Sequence, residues 1–242
     1  MLKLEHLSWG TPDGEEIIKD LNLTIEHGKL IVVTGPNGGG KTTLAKLIAG
    51  IQPASSGKIW MDGEELTGLD VTERARRGIA FAFQQPVRFK GITVRKLLEL
   101  SAGKTLGEDE LCSLLGKVGL CANEYIDREL TASLSGGEMK RIEIASVLAR
   151  GARFSIFDEP EAGIDLWSFS RLVETFQDLR SAGSGTLLVI SHQERILRIA
   201  DEIVVIAQGR VRASGPRDQI LPQLLGDEKG TQCPLGKQEV RV

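Results

Sequence analysis

The chain has 242 residues, 41% hydrophobic and 26% charged, enough to bury the core of one compact α/β domain with a subdomain. A net charge of −3, with acidic and basic residues interspersed, gives no basic field for nucleic acid and argues against that partner. Cys112, Cys121 and Cys233 are odd in number and lack C-x-x-C spacing, against a disulfide framework or a metal knuckle, and no apolar run approaches ~20 residues, so a soluble cytoplasmic protein is expected.

Residues Met1 to Ile25 contain two strand-like runs, LKLEHLSW and IIKDLNLTI, around the turn-forming TPDGEE, and predict an antiparallel hairpin. Trp9 at a strand end is read as packing rather than as a base-stacking platform. His6 and His27 have no partners at metal-ligand or triad spacing and are expected at the surface.

Ile31 to Ala49, IVVTGPNGGGKTTLAKLIA, predicts strand, glycine-rich loop and helix. Gly35, Gly40, Lys41 and Thr42 fit the pattern G-x-x-x-x-G-K-[ST]. Glycines let backbone N–H groups curl around phosphate oxygens, and the helix N-terminus adds its positive dipole end. Lys41 would reach the β- and γ-phosphates, and the Thr42 hydroxyl would help hold Mg²⁺. The strand and helix on either side are the context that separates a nucleotide loop from an ordinary glycine-rich turn.

Gly50 is a natural helix cap, and KIWMDGEEL predicts a tight hairpin on Asp62-Gly63. The run Arg74 to Arg77 reads as a solvated helix end before Gly78. Ile79 to Gln84 predicts a strand ending in a polar residue. From Val94 to Leu130 the periodicity becomes helical, in VRKLLEL, EDELCSLLGKVGL and NEYIDREL, which predicts a helical insertion. Ser135 then caps a helix that runs to Gly151.

FSIFDEPEAGID predicts a buried strand from Phe154 to Phe157 ending in Asp158-Glu159, and an aspartate at such a strand end suits a Mg²⁺ site beside the glycine loop. TLLVISH delivers His192 to the equivalent edge. The amphipathic LWSFSRLVETFQDLR between them makes a β-α-β unit with a parallel sheet. EIVVIAQGRVRASG predicts a hairpin turning at Gln208-Gly209, followed by a polar tail.

The assembled motifs resemble those of the ATP-binding cassette (ABC) ATPases over roughly residues 1 to 225. Gly35, Pro36, Asn37, Gly38, Gly39, Gly40, Lys41, Thr42 and Thr43 match Walker A, and Gln84 matches the Q-loop glutamine. LSGGE, Leu134 to Glu138, matches the signature, and FSIFDEP matches Walker B. Gly163-Ile164-Asp165 matches the D-loop, and His192 the switch histidine. Six motifs in order are far more specific than any one. The resemblance implies an α/β P-loop NTPase of ABC type, with a mixed central sheet, an antiparallel β subdomain and a helical subdomain. Residues 1–84 and 139–225 would form the ATP-binding core, 85–138 the helical subdomain with the signature, and 226–242 a polar tail.

It also implies ATP and Mg²⁺ as cofactors. Thr42, Asp158 and Gln84 would hold the metal, Glu159 would orient the attacking water, and His192 would contact the γ-phosphate. Ser135, Gly136, Gly137 and Glu138, with Asp165, would close over ATP on a second cassette, a copy or a homologue. Gly39 and Thr42 replace the usual Walker A serines, and Ala162 stands where transporters often place the D-loop serine. Thr42 keeps its hydroxyl, whereas Ala162 alters contacts across a dimer. Within the superfamily, AFQQPVRFKGITV and Arg141-x-Glu143 look like SufC, the ATPase of iron-sulfur cluster assembly. The expected partner is then a SufB/SufD-type scaffold, with a transmembrane permease as the alternative. Phe89, beside Pro86, Val87, Arg88 and Lys90, is either an anchor for that partner or a packing residue under the insertion.

Overall fold

The computed structural model describes residues 1–131, 133–183 and 185–226, so the tail expected from 226 onward lies almost wholly outside the described residues. In chain order, β1 (Leu2–Gly10) and β2 (Glu16–Ile25) precede β3 (Leu30–Thr34), the glycine loop and α1 (Lys41–Ala49). Next come β4 (Ser56–Met61), β5 (Glu64–Glu65), α2 (Val71–Arg76), β6 (Ile79–Ala82), α3 (Val94–Ala102), α4 (Glu108–Lys117) and the single turn α5 (Ala122–Tyr125). The chain continues through α6 (Gly136–Arg150), β7 (Phe154–Asp158), α7 (Leu166–Ser181), β8 (Thr186–Ile190) and α8 (Glu194–Leu197). It closes with β9 (Glu202–Ala207), β10 (Arg210–Pro216) and α9 (Arg217–Gly226).

Two sheets result. A four-stranded antiparallel sheet has the order β2-β1-β4-β5, and a mixed six-stranded sheet has the order β10-β9-β3-β8-β7-β6. In the latter β9, β3, β8, β7 and β6 run parallel, and β10 adds an antiparallel edge. β3 is buried along its length: Leu30 and Val32 face the core that contains the helical layer, and Ile31 and Val33 face the core shared with α1 and the antiparallel sheet. Burial on both faces is why LIVV reads as a continuous apolar run rather than an alternating one. None of the described helices is long and apolar enough to cross a membrane.

The tight turns form as expected. Asp62 and Gly63 sit at φ 55° and 83°, and Gln208 and Gly209 at 54° and 76°, the paired positive values that a two-residue hairpin turn needs. Trp9 packs against the apolar core of the antiparallel sheet.

Three local expectations are corrected. β6 ends at Ala82 rather than Gln84, because the Phe83 N–H leaves the sheet and donates to the Glu143 carboxylate at 2.9 Å. NEYIDREL is not a continuous helix: it stops after Tyr125, and the chain pairs back on the start of α3, with Val94 N–H donating to Arg128 O and Leu130 N–H to Ile92 O. Nor is the basic run at Arg74 to Arg77 uniformly solvated. Arg74 is 1% exposed, and its guanidinium donates to the carbonyls of Leu47, Ile48, Thr67 and Leu69. Two of those carbonyls belong to the last turn of α1, where Leu47 O also accepts the Gly50 N–H at 3.2 Å and Arg74 adds a cation at the negative end of the helix.

Arg74→Met should therefore strand several buried carbonyls and destabilise the fold by about 3–5 kcal/mol in urea unfolding. Arg76→Met, at the exposed neighbour, should stay within about 0.5 kcal/mol. Equal effects at the two positions would show that the carbonyl bonds contribute nothing.

Candidate active site

The glycine loop leaves β3 at Gly35, whose φ of 129° and lack of a side chain are both required, because a Cβ there would lie 2.0 Å from the Ile206 carbonyl of β9. Gly39 is similarly confined: a Cβ would come 2.8 Å from the Ile206 oxygen and 2.9 Å from the Pro36 oxygen. The glycine that departs from the usual serine is thus matched by the close approach of β9, and its carbonyl accepts the Gly209 N–H at 3.1 Å.

Lys41 is 6% exposed and folds its ammonium back into the loop, donating to the carbonyls of Gly35 at 2.8 Å and Pro36 at 2.9 Å. Burial lowers its pKa, while the Glu159 and Asp158 carboxylates oppose that shift. The Thr42 hydroxyl donates to Asp158 at 3.1 Å. Asp158, at the end of β7, is almost fully buried, which pushes its carboxyl up, and the Thr42 bond works against that. Glu159 follows at φ 45°, a left-handed conformation that costs about 1–3 kcal/mol for a residue with a side chain and recurs at functional sites. Its carboxylate accepts the Gln84 amide at 2.6 Å.

Asn37, Gly38, Gly39, Gly40, Lys41, Thr42, Thr43, Gln84 and Glu159, together with Ile17 of β2, line one cavity of about 490 Å³. Ile17, rather than Trp9, supplies its apolar wall. His192 follows the fully buried Ser191, whose hydroxyl donates to Glu161 and accepts from the Gln193 N–H at 3.0 Å. Partial desolvation of the ring and the nearby Lys41 ammonium hold the His192 imidazole below its ordinary range, with Glu159 opposing.

The signature residues stand apart from this cavity. Ser135 caps α6 by accepting the Glu138 N–H at 3.2 Å, and Glu138 accepts the Ser135 N–H at 2.7 Å. The Tyr125 hydroxyl and Ser135 hold the Glu138 carboxyl down to about 2. Gly136 and Gly137 leave first-turn N–H groups without intrahelical partners. Gly137 lies against the D-loop, where a Cβ would come 2.9 Å from the Gly163 carbonyl. Asp165 caps α7, accepting from the Trp167 and Ser168 N–H groups at 3.0 Å and the Ser168 hydroxyl at 2.6 Å.

Sequence reasoning missed Lys140, which is fully buried on α6 and donates to Phe83 O, Gln84 O and Asp158 O. A signal existed: Lys140 shares a helical face with Ile144 and Val147, both buried, so it is a lysine on an apolar stripe. Glu161 was missed as well.

A family model described as ABC transporter matches residues 18–162. The chain belongs to the ABC ATPase family. It is 38% identical over 213 residues to an uncharacterized ABC transporter ATP-binding protein of Methanocaldococcus jannaschii, covering 85% of each. It is 32% identical over 216 residues to the lipopolysaccharide export system ATP-binding protein LptB of Escherichia coli, covering 86% of this chain and 88% of that protein. A dimeric ATP-binding cassette in a post-hydrolysis state, bound to ADP and Pi, superposes with a TM-score of 0.80 over 90% of this chain and 99% of that one, at 23% identity. The cbiO1 cassette of Clostridium perfringens, part of the complex cbiONQ, superposes at 0.76 with 27% identity, over 94% and 93%. This cassette binds ATP and is an ATPase with the ABC fold. The relatives compared carry transporter names, so the narrower likeness to SufC gains no support from them.

In the cassette without nucleotide, NMR should place the His192 titration midpoint below that of the same histidine in the denatured chain, because burial and the Lys41 ammonium disfavour the imidazolium. Lys41→Met removes one of the charges that disfavours the imidazolium, so it should raise that midpoint. No movement would show that Lys41 does not act on the ring.

Proposed function

We propose that the chain is the nucleotide-binding subunit of a membrane transporter, working on the cytoplasmic side as one of two paired cassettes. The names of its relatives support this over the iron-sulfur assembly reading. The structural observation that carries it is a groove of about 180 Å³ beside Gln84, lined by Phe81, Phe83, Val87, Phe89, Leu97, Leu130, Met139 and Ile142. Val87 is 45% and Phe89 39% exposed, which suits anchors for a permease segment better than core residues. Residues 85–138, on this reading, are the helical subdomain that couples the permease to the ATP site.

The proposed roles follow from the chemistry of the cavity. Gly35, Pro36, Asn37, Gly38, Gly39, Gly40, Lys41, Thr42 and Thr43 cradle the phosphates through backbone N–H groups, and the Lys41 ammonium exchanges its two carbonyl partners for phosphate oxygens. The Thr42 hydroxyl, Asp158 carboxylate and Gln84 carbonyl are hard oxygen donors, which fit Mg²⁺. The metal supplies charge neutralisation to the phosphates. Glu159, whose carboxylate accepts the Gln84 amide, would orient the attacking water and take its proton, Gln84 would offer its carbonyl to Mg²⁺ when the ion is bound, and His192 would donate to the γ-phosphate. Ser135, Gly136, Gly137, Glu138 and Asp165, which line none of this cavity, serve the ATP held by the second cassette.

Glu159→Gln keeps the shape of the side chain but cannot accept the proton. It should bind ATP with near-normal affinity, lose about 10²–10⁴-fold in turnover, and elute at dimer mass in size-exclusion chromatography with Mg²⁺ and ATP. Elution as a monomer in every condition would sink the paired-site reading. Phe89→Ala should shift stability by no more than about 0.5 kcal/mol and preserve basal ATPase while abolishing stimulation by vesicles that contain the permease. Stimulation by a purified SufB/SufD-type scaffold, and not by such vesicles, would restore the assembly function.

A further inference from the structure

We propose that Lys140 and Glu143 are positioning residues that clamp the backbone at Phe83 and Gln84 to the signature helix and so fix where Gln84 and Asp158 stand in the ATP site. The two side chains are three residues apart on α6 and share one face. The Lys140 ammonium, with no exposed side-chain surface, donates to Phe83 O, to Gln84 O at 3.3 Å and to Asp158 O at 3.4 Å. Glu143 accepts the Phe83 N–H at 2.9 Å through one oxygen, and its other oxygen lies 3.6 Å from the ammonium without a hydrogen bond.

Both backbone groups of Phe83, just past the end of β6, are thus held by α6 rather than by a neighbouring strand. An ammonium has three donors, and three carbonyls converge on it from the ends of β6 and β7. Burying such a charge carries a large desolvation penalty that an apolar residue of similar volume would avoid. An apolar residue, however, would leave all three carbonyls unpaired and Gln84 unfixed.

The clamp connects three places. Its helix begins at Ser135–Gly137, the residues assigned to the second cassette. Glu143 also lines the apolar groove with Phe83 and Phe89, and the other end of the clamp reaches Gln84 and Asp158. Movement of α6, from either the groove or the signature end, therefore carries the Gln84 backbone with it. This inference rests on the roles proposed above for Gln84 and Asp158.

The test is a cycle on the full chain with Lys140→Met, Gln84→Ala and both together, measuring ATP affinity by calorimetry and single-turnover hydrolysis. Lys140→Met should slow hydrolysis about ten- to hundredfold, as expected for mispositioning, while affinity stays within about threefold because the phosphate loop is not held by the clamp. In the Gln84→Ala background the same substitution should cost several-fold less than in the wild type, the remainder passing through Asp158. Glu143→Gln keeps an acceptor for Phe83 N–H and should retain most of the rate, whereas Glu143→Leu should behave like Lys140→Met. Equal losses in both backgrounds, or a parallel fall in affinity and rate, would overturn the clamp. If Lys140→Met does not fold, Glu143→Leu takes its place in the cycle with the same criteria. If Gln84→Ala alone leaves the rate at the wild-type level, the role given to Gln84 fails. The clamp is then decided by amide exchange at Phe83, which Glu143→Leu must accelerate, and unchanged protection there would overturn it.

Discussion

The register of three parallel strands puts Val33, Ile190 and Asp158 in one row, and the phosphate loop, Glu159 and His192 all leave the sheet just beyond that row. Gly35 opens the phosphate loop two residues beyond Val33, Glu159 follows Asp158 directly, and His192 comes two residues after Ile190. A slip of one residue in any pairing would turn a catalytic side chain to the opposite face of the sheet. What prevents the slip is burial on both faces: β3, β7 and β8 contain no exposed residue, so any other register would expose apolar side chains or bury polar ones.

Within that frame the unusual expense is buried charge. Arg74, Lys140 and Asp158 are all nearly inaccessible, and each is satisfied chiefly by hydrogen bonds rather than by a simple ion pair. Arg74 gathers carbonyls at the C-terminal end of α1, whose N-terminal end is the phosphate loop, so the helix that holds the nucleotide is anchored at its far end by a cation of the favourable sign. Lys140 does the same for the ends of β6 and β7. Asp158 keeps one oxygen on Thr42, and magnesium would relieve the desolvation that now pushes its carboxyl up.

The separation of the phosphate loop from the N-terminus of α6 is what the proposed pairing of two cassettes rests on. The loop from Gly35 to Thr43 and the N-terminus of α6 both offer free backbone N–H groups, yet the signature lies against Gly163 and lines none of the cavity that contains Lys41. One chain cannot bring both to the same phosphate. A second cassette could, and that is the pairing proposed above.

Sequence alone determined whatever depends on neighbours along the chain. The glycine loop between strand and helix, the turns at Asp62-Gly63 and Gln208-Gly209, the cap at Ser135 and the aspartate ending an apolar strand are local patterns, and local sterics and hydrogen bonding enforce them. The order of six motifs was enough for the ATPase family. Tertiary structure decided the rest, because the partners lie far apart in sequence. Phe83 left the strand for Glu143, sixty positions away, Arg74 became a core residue through carbonyls 26 and 27 positions away, and the DREL segment gave up helix for pairing with the start of α3. The apolar stripe around Lys140 marks it as buried, but only the fold brings the three carbonyls to it that define its partners. A polar side chain's role is set by which unpaired backbone groups the packing delivers to it, and no spacing along the chain records that.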